Sequence, residues 1–321
     1  MSDFHRTVVE ELISKLDKYY VFPNMTERIA SKLTMALNAE TYDHLLEPRE
    51  FASVLSNDLF EVSQDRHLRV RYNPGITDDS DADITLTPEL LEQIRSDNEF
   101  ENFGFYQVER LDGNIGYIDL RAFAPTEIAG DTAVAAMNFV ANTYSLIIDL
   151  RKNHGGVPSM IDLICGYLFR PSVHLNSLHW RKDDAVEQYW SLPYVPGKHY
   201  GGKPVYVLTS KETFSGAEEF AYVLKQRKRA TIVGEKTKGG ANPGMVIRIT
   251  SDFGAFIPMG RAVHPLTGTS WEGVGVQPDI DVPGEDALTH AYTRALNYIA
   301  ETPSFVEPVR HEAKQKLAEF I

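Results

Sequence analysis

The stretch Ser145-Leu-Ile-Ile-Asp-Leu150 constrains the fold of this chain more than any other. It is too short to be a self-supporting helix, and its apolar residues fall on consecutive positions. As a strand it must be covered on both faces. Such strands belong to parallel sheets flanked by helices, because a parallel connection needs a crossover of about a dozen residues or more.

The flanking sequence supplies those crossovers. Helical periodicity covers 133–144 and 159–168, a strand follows at 205–208, a helix at 215–226 and a strand at 231–233. Upstream, strands at 105–110 and 115–120 flank Asp112-Gly113, a hairpin signal because Gly accepts positive φ. A further antiparallel pair is expected between Met245 and Pro258, and helices over 286–299 and 306–320. In the first sixty residues the pattern is purely helical: Val8, Val9, Leu12, Ile13 and Leu16, then Ile29, Leu33 and Leu37, then Phe51, Val54, Leu55 and Leu59. Asn73-Pro74-Gly75 and the acidic run 78–83 interrupt it. The expected organisation is therefore an N-terminal helical bundle over 1–75, a connecting segment over 76–102, and a mixed α/β core over 103–321 that ends in helices.

Composition removes several function classes. A formal charge of -13 opposes a nucleic-acid surface, which needs clustered cations. The one basic cluster, Lys225 to Arg229, reads as the polar end of a helix. A single cysteine, Cys165, excludes an internal disulfide framework, and its apolar neighbours mark it as a small buried hydrophobe. No run of about 18 apolar residues suits a bilayer, and residues 1–10 lack the apolar stretch of a secretory signal. The expectation is a soluble, cytoplasmic protein.

Three segments could carry chemistry. Thr213-Phe-Ser-Gly-Ala-Glu-Glu-Phe220 puts Ser215 after a buried strand and at the head of a helix, where backbone N–H groups favour developing negative charge. Ser215 with Glu218 three residues on is equally a capping box, and alone the segment favours that cap. Asp149-Leu-Arg-Lys-Asn-His-Gly-Gly156 lies at the C-terminal end of the buried strand, where sites in α/β sheets collect. Its paired glycines can turn a backbone N–H toward a substrate oxygen, and its alternating Asp149, Arg151 and Asn153 call for specific partners. Trp271-Glu-Gly-Val-Gly-Val-Gln-Pro-Asp279 holds a single acid near its start, Glu272, which by itself reads as solvated.

In order and spacing these segments, with Arg229-Ala-Thr-Ile-Val-Gly-Glu-Lys-Thr-Lys-Gly239, resemble the tail-specific protease superfamily, peptidase family S41, over residues 103–283. The resemblance implies a crotonase- or ClpP-like α/β core of β-β-α superhelix type. Relatives that process C-termini carry a lysine just after the glycine matched here by Gly239. This chain has Gly240 there, and Lys236 and Lys238 fall at positions that point elsewhere in the family pattern. The tricorn-core-like branch, similar also to the interphotoreceptor retinoid-binding protein modules, instead looks like Ser-His-Glu, with the histidine from the N-terminal helical region. Ser63-Gln-Asp-Arg-His-Leu-Arg-Val70 supplies His67, and Glu272 matches the distal acid. Arg66 stands where that branch has a serine, so the orientation of His67 is open.

The resemblance thus implies a serine peptidase with Ser215 as nucleophile, His67 as base and Glu272 behind it. The backbone N–H of Gly216, with that of Gly155 or Gly156, would bind the oxyanion, and Asp149, Arg151 and Asn153 would support the loop. His154 and His264 are left as surface or structural residues. No cofactor or metal is expected, since no Cys/His cluster is present. The expected partner is a peptide or unfolded protein segment, with neither nucleic acid nor membrane, and assembly into a homo-oligomer stays open. The stretch between Tyr72 and Phe103 is too short for a PDZ domain. Two other readings compete: an apolar-ligand carrier on the same scaffold, as in the retinoid-binding modules, and a crotonase-type acyl-CoA enzyme, which would need no serine nucleophile.

Overall fold

The computed structural model describes residues 3–75 and 88–320, so the acidic run 78–83 lies outside the described residues. In chain order the helical region is α1 (Asp3–Tyr19), α2 (Pro23–Asn38), α3 (Pro48–Ser63) and strand β1 (Arg69–Tyr72). Then come α4 (Pro88–Glu99), β2 (Phe105–Leu111), β3 (Ile115–Leu120), α5 (Thr126–Val140), β4 (Ser145–Asp149), α6 (Pro158–Leu168), β5 (His174–Trp180) and β6 (Val186–Trp190). The chain continues through β7 (Val205–Thr209), α7 (Gly216–Gln226), β8 (Thr231–Gly234), β9 (Gly244–Arg248), β10 (Phe253–Pro258), β11 (Gly260–Val263), β12 (Ile280–Asp281), α8 (Ala287–Glu301) and α9 (Glu307–Ala318). These elements form two compact units.

One unit comprises the described residues of Met1–Thr85 with Ser177–Glu187 and Gly240–Val263. The helical stripes expected on α1, α2 and α3 are its core: Val8, Leu12, Leu16, Ile29, Leu33, Phe51, Leu55 and Leu59 are buried, against Ile247, Phe253, Ala255 and Ile257 of β9 and β10. The helices do not close on one another alone. Their apolar faces are covered by a three-stranded antiparallel sheet, ordered β1-β10-β9, in which Val70 pairs with Ala255 and Ala255 with Ile247. Strand β1 escapes the sequence reading because Arg69-Val-Arg-Tyr72 is only four residues long and buries a single side chain completely.

The other unit comprises the described residues of Leu86–Asn176 with Gln188–Gly239 and His264–Ile321. Its six-stranded sheet runs β12-β8-β7-β4-β3-β2, parallel throughout except for the β2–β3 hairpin. The two-faced burial expected of β4 is realised, with every residue from Ser145 to Asp149 buried. Ile115, Tyr117, Ile147, Tyr206 and Leu208 face α8, which offers Ala287, Ala291 and Ala295 at four-residue steps and so lies close against the sheet. On the opposite face Gly116 lies under α5, where a methyl group would meet Val140 Cβ at 2.9 Å. Helix α5 starts earlier than the periodicity over 133–144 implies. Pro125 immediately precedes it, and after Val140 the Thr143 hydroxyl donates to the Val140 carbonyl (2.8 Å) and caps its end. A third sheet, ordered β11-β5-β6, contains segments in which the chain passes from one unit to the other. The chain thus forms the expected mixed α/β core with N-terminal helices. No helix among the described residues is long and apolar enough to cross a membrane.

Candidate active site

Because β3, β4, β7 and β8 are parallel, their C-terminal ends share one edge of the sheet, and the segments beginning at Asp149 and Thr213 emerge there from β4 and β7. Asp149 closes β4, is buried, and accepts from Arg151 Nε (2.9 Å to Oδ1) and Nη2 (2.6 Å to Oδ2) and from the Tyr117 hydroxyl (2.9 Å). Arg151 also donates to the Gly284 carbonyl (2.7 Å). Its bidentate pairing holds the guanidinium further above its ordinary range, and burial beside Asp149 pushes the Tyr117 phenol up.

Asn153, with no exposed surface, fixes the turn that follows. Its Nδ2 donates to the Leu120 carbonyl (2.9 Å), its Oδ1 accepts the Gly155 N–H (2.8 Å), and its carbonyl accepts the Phe214 N–H (3.1 Å). The Thr213 hydroxyl donates to the Leu150 carbonyl (2.8 Å) and that of Ser210 to the Arg151 carbonyl (2.6 Å). The β4–α6 and β7–α7 loops are therefore bound to one another at several points.

Ser215 sits at the head of α7 with φ 55° and ψ -123°. An ordinary N-cap residue occupies the β region. A non-glycine residue at these angles is strained by about 1–3 kcal/mol and persists only where its surroundings over-determine it. A serine held on a sharp strand-to-helix turn is the geometry of a nucleophile elbow. What over-determines it is visible. Glu218, fully buried, accepts the Ser215 N–H (2.9 Å) on Oε2 and both the Thr237 hydroxyl (2.5 Å) and the Gly239 N–H (2.6 Å) on Oε1. The expected capping box is thus present in both halves, and its glutamate serves besides as a junction for three segments.

The glycines are packed to the limit. A methyl on Gly155 (φ 106°) would lie 2.8 Å from both Gly216 N and Ser215 Cβ, and one on Gly156 would meet the Phe123 carbonyl oxygen at 2.1 Å. Only glycine fits at either position. The Gly155 N–H is engaged by Asn153, whereas Gly156 N lies 3.2 Å from where a Gly216 Cβ would stand. Glu272 occupies a tight turn in which the Gly275 N–H donates to the Trp271 carbonyl (2.9 Å) and the Gly273 N–H to the Gly239 carbonyl (3.1 Å). Trp271 is buried with its ring 5.5 Å from that of Tyr222 on α7, so the turn carrying Glu272 is tied to the helix that carries Ser215.

His67 belongs to the helical unit, in the loop between α3 and β1. It is buried, with its ring stacked on Phe256 (5.6 Å, 30° between planes). Burial, and secondarily the charge of Arg69, push its pKa down to about 4. Asp65, which sequence reasoning passed over, accepts the His67 backbone N–H (3.0 Å), the Tyr20 hydroxyl (3.3 Å) and an Asn242 N–H (3.2 Å), and its burial pushes its carboxyl up. The Asp-x-His spacing is the only signal that could have drawn attention to it. Arg66 lays its guanidinium over the Phe60 ring at 5.1 Å. His154 is exposed and His264 buried, the latter ring 5.3 Å from Tyr222. Cys165 is fully buried, and burial drives its thiol well above its ordinary range.

A family profile described as "Peptidase family S41" matches residues 114–282, over half of the chain, and one described as the N-terminal domain of that family in eukaryotic IRBP matches residues 1–103. The chain belongs to peptidase family S41. Among curated S41 relatives it is 28% identical over 190 residues to the carboxy-terminal-processing protease of Bartonella bacilliformis, an alignment covering 57% of this chain and 42% of that protein. The chain spans less than half the length of the curated relatives it matches. Its fold is similar to a candidate peptidase from Parabacteroides merdae (TM-score 0.64, 18% identity, 94% of this chain and 99% of that one). It is also similar to the tricorn protease (TM-score 0.54, 13% identity, 94% of this chain and 37% of that one).

Proposed function

We propose that this S41 chain is a serine peptidase that hydrolyses peptide bonds in peptides or unfolded protein segments through an acyl-enzyme at Ser215. The observation that carries this reading is the strained backbone of Ser215, over-determined by Glu218 at the joint of β7 and α7. A carrier for apolar ligands has no use for such a residue, and a mere helix cap would relax to an ordinary conformation.

In the proposed cycle the Ser215 hydroxyl attacks the scissile carbonyl as His67 takes its proton. The Gly216 and Gly156 N–H groups receive the oxyanion, each lowering the barrier by about 3 kcal/mol. The intermediate collapses, the C–N bond breaks and His67 returns the proton to the leaving amine; water repeats the sequence on the ester. A histidine held neutral by burial is an acceptor at every pH near neutrality, and Glu272 would stabilise the imidazolium formed in the transition state. Lys236 and Lys238 are exposed, with Lys238 Nζ 3.9 Å from Glu212, which supports histidine rather than lysine as base. The relatives named for C-terminal processing are much longer proteins, so no preference for chain ends is carried over.

An internally quenched peptide library provides the test. Cleavage by the wild type is expected, lost in Ser215→Ala and retained when Lys236 and Lys238 are both changed to Met. Cleavage that survives Ser215→Ala would refute the reading.

A further inference from the structure

The basic cluster at the end of α7 is more than a solvated helix terminus. At the edge of the sheet opposite Ser215, where β7 and β8 begin, a cavity of about 660 Å³ is lined by Lys203, Lys225, Lys228, Arg229, Asp279 and Tyr298, among others. Four cations against one carboxylate converge there in a chain whose net charge is -13. The single acid is already engaged, since Lys225 donates to Asp279 Oδ1 (2.7 Å) and to the Gln277 carbonyl.

The other cations are held by neutral groups. Arg229 donates through Nε to the Leu168 carbonyl (2.8 Å), through Nη1 to that of Lys203 (3.1 Å) and through Nη2 to that of Gly201 (2.6 Å). Three of its five N–H donors are thereby used. Lys203 Nζ donates to the carbonyls of Ala141 (2.8 Å) and Thr143 (2.7 Å) and stands 4.0 Å from the centroid of the Tyr200 ring. Among the described residues no carboxylate pairs with Lys203, Lys228 or Arg229. Burial, with the charges of Lys198 and Arg229, pulls the Lys203 ammonium down to about 8.

We propose that this cavity is a binding site for a phosphate dianion, either inorganic phosphate or the head of a phosphate monoester. The net charge of the lining exceeds what a single carboxylate would neutralise. The remaining donors of Arg229 and Lys228, with the positive charge of Lys203 beside them, suit a group with several acceptor oxygens. The volume beyond the anion, beside Tyr298, accommodates an organic substituent. The site is separate from the acyl-transfer chemistry: α7, about 16 Å long at 1.5 Å per residue, carries Ser215 at one end and this cluster past the other.

The full chain is titrated at constant ionic strength with inorganic phosphate, phenyl phosphate, benzoate and chloride, with binding read by calorimetry and thermal shift. Both phosphates should bind and raise the melting temperature, while benzoate and chloride do not. Tighter binding of phenyl phosphate identifies the monoester as the natural occupant, and equal binding identifies the free ion. Lys203→Gln with Lys228→Gln should weaken phosphate at least tenfold, and Lys203→Arg should retain it. If the double variant does not fold, Lys228→Gln alone should weaken binding about threefold, because that side chain is exposed and its loss leaves the core packing intact. Phosphate binding no better than chloride, or unchanged in the lysine variants, overturns the proposal. Neither result depends on peptidase activity.

Discussion

Replacing Ser215 by glycine should stabilise the protein relative to alanine there while removing the proposed nucleophile. The residue sits at φ 55°, ψ -123°, where a Cβ costs about 1–3 kcal/mol and glycine rests without strain. Glycine in turn loses about 0.5–1 kcal/mol more conformational freedom on folding. The net gain of Ser215→Gly over Ser215→Ala is then up to about 2.5 kcal/mol and centred near ~1 kcal/mol, since alanine keeps the Cβ and its strain. With an unfolding entropy of about 2.1 cal/mol/K per residue over 321 residues, this corresponds to about 1.5 °C in Tm at the centre and about 4 °C at most. Paired urea and thermal unfolding of the two variants measures it directly, and neither variant should cleave peptide. If glycine proves no more stable than alanine, the backbone at Ser215 is not strained, and the argument that separates a nucleophile elbow from a helix cap fails.

Two other perturbations follow from the same geometry. Asn153→Ala strands the buried Gly155 N–H and Leu120 carbonyl, so urea unfolding should show a loss of about 2–4 kcal/mol, with activity falling as the glycine turn loosens. For pH, the proposed cycle needs His67 neutral, so the acid limb of kcat/KM should fall near pH 4 rather than near 6.5, with little change from pH 6 to 8. The same depression makes the unfolded chain the better proton acceptor. This contribution to stability is complete above about pH 6.5 and declines as the pH falls toward 4, by at most about 3 kcal/mol. An acid limb near 6.5 would show that His67 titrates as a solvated imidazole.

Much of this was legible in the residues. Apolar runs such as Ser145 to Leu150 and the stripes of α1 to α3 identified the sheet and the helices because burial imposes those periods. The strand-end position of the Asp149 segment was legible for the same reason. Strands β1, β5, β6 and β11 were not, since they are short or marked by polar residues, and β1 and β11 owe their pairing to partners distant in sequence. Nothing in the string reveals positive φ at a serine, nor that Glu218 gathers two further donors besides closing the cap. The low pKa of His67 depends on its burial and on Arg69, which only the folded unit establishes.

The most direct test of the account is chemical. The wild-type protein is treated with a fluorophosphonate, digested, and mapped by mass spectrometry. A single phosphonyl adduct on Ser215 is predicted, absent in Ser215→Ala and formed much more slowly in His67→Ala. An adduct elsewhere, or one that persists in Ser215→Ala, would contradict the assignment of Ser215 as the nucleophile.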